Sequence, residues 1–151
     1  MRQSRKISFK AVKDLPESLA KKINMKSKDI VSAFWDTMNG NDFFKAAEWL
    51  TEDFECFWPQ SSEVICGREN FAAINTNYPA NGPWRFAINS LLAEGDQVVS
   101  DVSVTDGTVS ARAITFHTIR NAKICKQVEF WPDDFAAPKW RAQWVKRADG
   151  K

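Results

Sequence analysis

The chain has 151 residues, 44% of them hydrophobic, and a formal net charge of +2. That length fits a single domain around one core, and no run approaches the ~18 apolar residues of a membrane-spanning helix. The charge is uneven: residues 1–28 hold nine Lys/Arg against Asp14 and Glu17, leaving twelve cations and seventeen acids in the rest. The body is therefore mildly acidic, unlike a surface built to bind nucleic acid.

In chain order, residues 1–25 read as a basic extension ahead of a domain spanning 26–147. The extension lacks the apolar stretch of a secretory signal and is expected to be solvated. Met25, followed by Lys-Ser-Lys, reads as an alternative translation start. Ser27 is an expected N-cap, with Asp29 in the first turn and Ile30, Phe34 and Met38 at helical spacing. Asn39-Gly40-Asn41 stops this helix. Asp42 caps a second one, in which Phe43, Ala46, Ala47 and Leu50 form a stripe. Phe54–Trp58 reads as a short strand ended by Pro59. A third helix is expected over Arg68–Asn77, with Phe71 and Ile74 buried, and Pro79 and Asn81-Gly82-Pro83 close it.

The period then changes. Trp84–Ala93, Gln97–Thr105, Thr108–Arg120 and Lys123–Trp131 alternate like strands, separated by Gly95-Asp96, Asp106-Gly107 and Asn121-Ala122. Three helices followed by an antiparallel meander predict an α+β fold with the helices on one face of a curved sheet. The segment Pro132–Val145, carrying Phe135, Trp140 and Trp144, is expected to fold back over the body. Seven Trp and eleven Phe against one Tyr suit either a core of large side chains or an aromatic-lined cavity. Cys56, Cys66 and Cys125 are odd in number and lack C-x-x-C spacing. That disfavours a disulfide framework and a zinc site and fits free thiols in a reducing cytoplasm. No phosphate-cradling glycine loop or ligand-spaced His/Cys cluster is present, so neither a nucleotide cofactor nor a metal is expected.

The order of elements and three local signatures resemble the SnoaL-like proteins of the nuclear-transport-factor-2-like superfamily. Trp49-Leu50-Thr51-Glu52-Asp53-Phe54 is similar to the family's L-x-x-D-h lead-in to the first strand. Gly67-Arg68-Glu69-Asn70-Phe71 is similar to its G-x-x-x-h start of helix three, and Ile124–Trp131 followed by Pro132-Asp133-Asp134-Phe135 is similar to its last strand. The resemblance implies a cone-shaped sheet wrapped on three N-terminal helices and enclosing a pocket. The superfamily hosts isomerases, cyclases, hydrolases, dehydratases and non-catalytic binders.

Alternation along the late strands defines two sets. Val98, Val102, Val104, Ile114, Phe116, Ile124, Val128 and Phe130 form an apolar set. Val99, Asp101, Ser103, Thr105, Thr115, His117, Gln127, Glu129 and Trp131 form the other. Pattern alone puts the apolar set against the helices and the polar set in water. The resemblance implies the reverse: the polar set looks into the cone, and the apolar face packs against a second copy, because a broad exposed apolar face is a liability.

Ketosteroid isomerases of the superfamily carry a Tyr, an Asp and a second acid at positions that match Phe34, Trp58 and Thr115, so that chemistry is not expected. Limonene-epoxide hydrolases use an Arg-x-Asp pair, matched here by Asp101 and Ser103, and a last-strand Asp, matched by Glu129; the pair is not reproduced. SnoaL-type cyclases, by resemblance, use inward acidic and polar groups. Glu129 as general acid or base, His117 as its partner and Asp101 as orienter form such a set. The alternatives are a hydrogen-bonded structural His117, a Glu129 paired with Arg85, Arg112 or Lys126, and a solvated Asp101. Trp35, Met38, Trp58, Trp84, Thr115, Gln127 and Trp131 are the expected ligand-binding residues. The expected ligand is a small hydrophobic molecule, taken by a cytoplasmic homodimer without nucleic-acid or membrane partners. The expected activity is cofactor-free proton transfer (cyclisation, isomerisation or dehydration), the alternative a non-catalytic binding or dimerisation module.

Overall fold

A computed structural model describes residues 25–150, so the basic extension lies outside the described residues except for Met25. Helix α1, Ser27–Met38, forms because Ile30, Val31, Phe34, Trp35 and Met38 make one continuous buried stripe. Its N-cap is Lys26, not Ser27. The Ser27 hydroxyl instead donates to Gly95 O (2.6 Å), tying the helix start to the turn between the third and fourth strands. Helix α2, Phe43–Ala46, is capped by Asp42, whose carboxylate accepts from Lys45 N, and continues as a 3-10 turn over Ala47–Trp49. Helix α3 spans Arg68–Asn77 and buries Phe71 and Ala72. Ile74, expected in the core, is exposed at the rim of a cavity.

Six strands make one sheet in the order β2-β1-β6-β5-β4-β3. They are β1 Leu50–Trp58, β2 Glu63–Cys66, β3 Arg85–Glu94, β4 Gln97–Thr105, β5 Ser110–Arg120 and β6 Lys123–Phe130. All neighbours are antiparallel except β1 and β6, which run parallel. β2 is absent from the sequence expectation; it is an edge strand of four residues with one buried side chain, Ile65, too short to show a period. The core lies between the helices and the inner sheet face. Phe34, Phe54, Leu50 and Ile124 are fully buried there, each contributing about 2–3 kcal/mol by removal from water.

The inner face corrects both sequence-based sets. Register pairs Val98 with His117, Ser100 with Thr115 and Val102 with Ala113, and directly opposed residues share a face. Valines 98, 102 and 104 therefore point inward beside His117 and Thr115, whereas Asp101, opposite Ile114, points outward. Ile124 is also inside. The β5–β6 register shifts between Thr118 and Ile119, leaving Cys125 as an extra residue that resets the alternation, so Ile124 and Gln127 are both buried. Ile114, Phe116, Val128 and Phe130 stay off the inner face as the resemblance implied. The C-terminal segment does not cover the body with its aromatics, since Phe135, Trp140 and Trp144 are all exposed.

The turn after α1 acts as a substitute strand. Asn39 Oδ1 accepts from Phe86 N (2.7 Å) and its Nδ2 donates to Phe86 O (2.9 Å). Asn41, in the left-handed region at φ 57°, makes the same pair with Trp84, both at 2.8 Å. Two side-chain amides thus satisfy four backbone groups at the start of β3. Asn39→Ala removes two of these bonds and is expected to destabilise the fold by about 2 kcal/mol in urea unfolding.

Candidate functional site

Between α1, α3 and the inner sheet face lies a cavity of about 490 Å³, within the range of small-ligand sites. Helix α1 supplies Phe34, Trp35 and Met38, α3 supplies Phe71, and β3 with its lead-in supplies Trp84 and Phe86. The end of β1 and the end of β6 add Trp58, Glu129 and Trp131. Tyr78 stands at the rim in an edge-to-face contact with Trp84, ring centroids 5.9 Å apart.

Glu129 is the buried carboxylate of this cavity, 7% exposed. Its Oε1 accepts from the indole N–H of Trp58 (3.1 Å) and of Trp131 (3.0 Å), and its Oε2 accepts from Thr115 Oγ1 (2.7 Å). These partners arrive by register. Thr115 lies directly across from Glu129, and the parallel pairing of β1 with β6 brings Trp58 alongside. Burial pushes the Glu129 carboxyl above the usual carboxylate range, and the three hydrogen bonds oppose that rise without cancelling it. Burial also raises the Cys56 thiol, with a smaller push from the Glu129 charge, so Cys56 stays protonated.

His117 is fully buried but does not line the cavity. With the Gln127 amide turned so that its NH₂ faces the ring, Nδ1 accepts from Gln127 Nε2 (3.2 Å) and Nε2 donates to Ser100 Oγ (2.8 Å). Ser100 Oγ also accepts from Trp35 Nε1 (3.2 Å), while Gln127 Oε1 meets no donor among the described residues. The imidazole lies against Phe34 and Trp35, both ring centroids 6.3 Å away. Burial lowers its pKa to about 3, so it is neutral across the physiological range.

The structure therefore separates the expected triad. Glu129 shares no hydrogen bond with His117, because Thr115, not His117, stands opposite it in the register. Asp101 is on the outer face, bound through both oxygens to Arg112 and to Asn89 Nδ2 (3.4 Å). Those bonds, Arg112 foremost, hold its carboxyl below the usual range. Of the expected ligand residues, Trp35, Met38, Trp58, Trp84 and Trp131 line the cavity, while Thr115 and Gln127 sit behind it as partners of Glu129 and His117. Sequence reasoning missed Ser100, although the same pairing parity that turns Asp101 outward turns Ser100 in. It also missed Glu63 and Asp133 at the mouth. Among the described residues, no group of three or more His, Cys, Asp and Glu is placed to hold a metal, and no helix is long and apolar enough to cross a membrane.

The SnoaL-like domain family matches residues 31–127. The chain belongs to the SnoaL-like family. The matched segment ends two residues before Glu129. A Kribbella flavida DSM 17836 structure named a "putative ketosteroid isomerase" is 29% identical, with TM-score 0.75 over 81% of this chain and 89% of that one. A Burkholderia xenovorans LB400 NTF-2-like protein of unknown function is 28% identical, with TM-score 0.67 over 84% and 95%. An M. tuberculosis LEH-like epoxide hydrolase, 14% identical with TM-score 0.58 over 70% and 82%, shares the fold. No curated protein matches the chain. This SnoaL-like chain thus has the open six-stranded cone of its structural neighbours, with a carboxylate held by neutral donors in its hollow.

His117 and Glu129, both buried, act on stability in opposite senses. The unfolded chain protonates His117 below about pH 6.5, whereas the folded chain resists until about pH 3. The stability this histidine contributes is full above pH 6.5 and falls as the pH drops, by up to ~1.4 kcal/mol per pH unit. Glu129, raised in the fold, contributes stability below its ordinary value of 4.5 that is lost as the pH rises through its folded value. Urea midpoints measured from pH 7 to pH 4 are expected to fall more steeply in Glu129→Gln than in the wild type, and less steeply in His117→Gln.

Proposed function

We propose that this SnoaL-like protein binds a small, largely apolar molecule in the cavity and catalyses cofactor-free proton transfer, with Glu129 as the general acid or base. The observation that carries the reading is the carboxylate's setting. It faces an aromatic hollow, its pKa is raised by burial, and its orientation is held by Trp58, Trp131 and Thr115. A carboxylate so placed takes a proton from a carbon next to a carbonyl and returns it to a neighbouring atom. Ser61, Asn75 and Tyr78, which also line the hollow, are the donors available to the substrate's oxygen. His117 acts at one remove: through Ser100 it fixes the Trp35 indole in the cavity wall.

The likeness to a protein named for ketosteroid isomerase does not carry that enzyme's groups here. Phe34 and Trp58 offer no ionisable side chain, and Thr115 is committed to Glu129. The chemistry rests on one carboxylate. A suitable probe is 2-tetralone, a cyclic ketone with acidic α-hydrogens. The wild type is expected to accelerate their exchange in D₂O, followed by NMR, and Glu129→Gln to lose about 100-fold or more of that acceleration while still binding the ketone. Retained binding with equal exchange in both proteins identifies a non-catalytic binding protein.

The same reading extends to assembly and compartment. Phe116 and Leu92 are 47% and 68% exposed and share the outer face, both standing opposite Val99 in the register, and Phe116 meets Phe130 edge to face. We assign this outer sheet face to a homodimer, and the free thiols to a cytoplasmic setting. Sedimentation is expected to show a dimer that Phe116→Lys converts to a monomer.

A further inference from the structure

The cavity is one-sided in charge. Three carboxylates line it, Glu129 within and Glu63 and Asp133 at the exposed mouth, and no Lys, Arg or His is among its lining residues. Eight of the lining side chains are aromatic. The ion pairs of the described residues engage Glu52, Asp53, Asp101 and Asp149, and none of the three cavity carboxylates. The donors on Glu129 are two indoles and a hydroxyl, which orient the carboxylate without neutralising it. A buried carboxylate with no counter-charge among the described residues gains from a cation brought from outside, and aromatic rings attract the same species through their negative faces. An anionic ligand would meet three like charges.

We propose that the cavity is selective for a small organic cation, an amine or quaternary ammonium group on an apolar body. The cationic head lies near Glu129, Trp58 and Trp131, and the body lies against Phe34, Trp35 and Phe86. This rests on the cavity being the ligand site, as proposed above, and adds the charge of what enters it. Glu63 and Asp133 at the mouth draw the cation inward by long-range attraction.

Cation binding is coupled to the state of Glu129. A bound positive charge favours the ionised carboxylate, reversing the effect of burial, so affinity rises with pH through the Glu129 titration. The other titratable groups around it leave that coupling dominant. Cys56 on β1 stays protonated, His117 on β5 is neutral, and α1 offers only Phe34, Trp35 and Met38 to the cavity. Glu63 on β2 and Asp133 after β6 add to the attraction, and Tyr78 at the rim is a phenol.

The test compares benzyltrimethylammonium with its uncharged carbon isostere, neopentylbenzene, by ligand-observed NMR on the full chain. The cation is expected to bind at least tenfold more tightly. Glu129→Gln is expected to erase that advantage and leave the isostere's affinity unchanged. The exposed pair Glu63→Gln/Asp133→Asn, which leaves the core intact, is expected to weaken the cation several-fold at low salt and little at 0.5 M NaCl. An isostere that binds as tightly as the cation, or more so, overturns the charge selectivity while the cavity remains a ligand site. Failure of both probes to bind overturns the cavity reading and this inference together.

Discussion

A carboxylate buried among neutral donors is the constraint around which this SnoaL-like chain is organised. Glu129 is buried, and among the described residues no lysine or arginine lines the cavity with it. Two indoles and a threonine hydroxyl converge on it and favour its ionised form against the effect of burial, each hydrogen bond to an ionised group being worth about 1.5–3 kcal/mol. That convergence needs three strands in correct register. β5 must place Thr115 opposite Glu129, β1 must run parallel to β6 to bring Trp58 across, and the chain must leave β6 so that Trp131 folds back. Gln60 assists the last step, its Oε1 accepting from Trp131 N (2.6 Å).

A second polar chain holds α1 on the sheet. Trp35 on α1, Ser100 on β4, His117 on β5 and Gln127 on β6 are linked in sequence by hydrogen bonds inside the core. Neutral buried groups of this kind contribute about 1 kcal/mol net per bond, but leaving one unmatched costs more, so the chain specifies a single seating of α1. The two networks divide the labour of the inner face. One is neutral, meets the cavity through the Trp35 ring and fixes the wall; the other holds the Glu129 carboxyl toward the hollow. His117 belongs to the first because desolvation outweighs anything nearby that would favour its protonated form.

Much of the fold was legible because it rests on local periodicity. The stripe of α1, the Asp42 cap and α3 followed from spacing and caps, and the four late strands fell within one to two residues of their expected bounds. The site was legible only in part, because it depends on which residues of different strands share a face. That is a matter of parity between strands, not of pattern within one. The strongest hairpin signal, Asp106-Gly107, already implied a turn of even length. Such a turn places Asp101 opposite an even-numbered residue of β5, hence on the face away from Thr115 and His117. The observed four-residue connection, with Thr105 paired to Ser110, keeps that parity. The extra residue at Cys125 had no comparable signature, and β2 was too short to have one.

The same parity bears on what the family match can and cannot carry. The matched segment supplies most of α1, the sheet through Gln127 and thus the neutral network in full. Of the charged network, Trp58, Glu63 and Thr115 lie within the match, and Glu129, Trp131 and Asp133 follow it. Above the cavity, the β3 side of the mouth is clamped. Asn41 pairs with the Trp84 backbone, and Asp106 gathers the backbone N–H groups of Asn81, Thr108 and Val109, which holds its carboxyl at about 2. The hollow is built by the helices and the inner sheet face, and the charge inside it comes from Glu129 near the end of β6, with Glu63 and Asp133 at the mouth. A chain with the same fold and a different residue at position 129 would keep the hollow and lose the reason for a proton or a cation to go there.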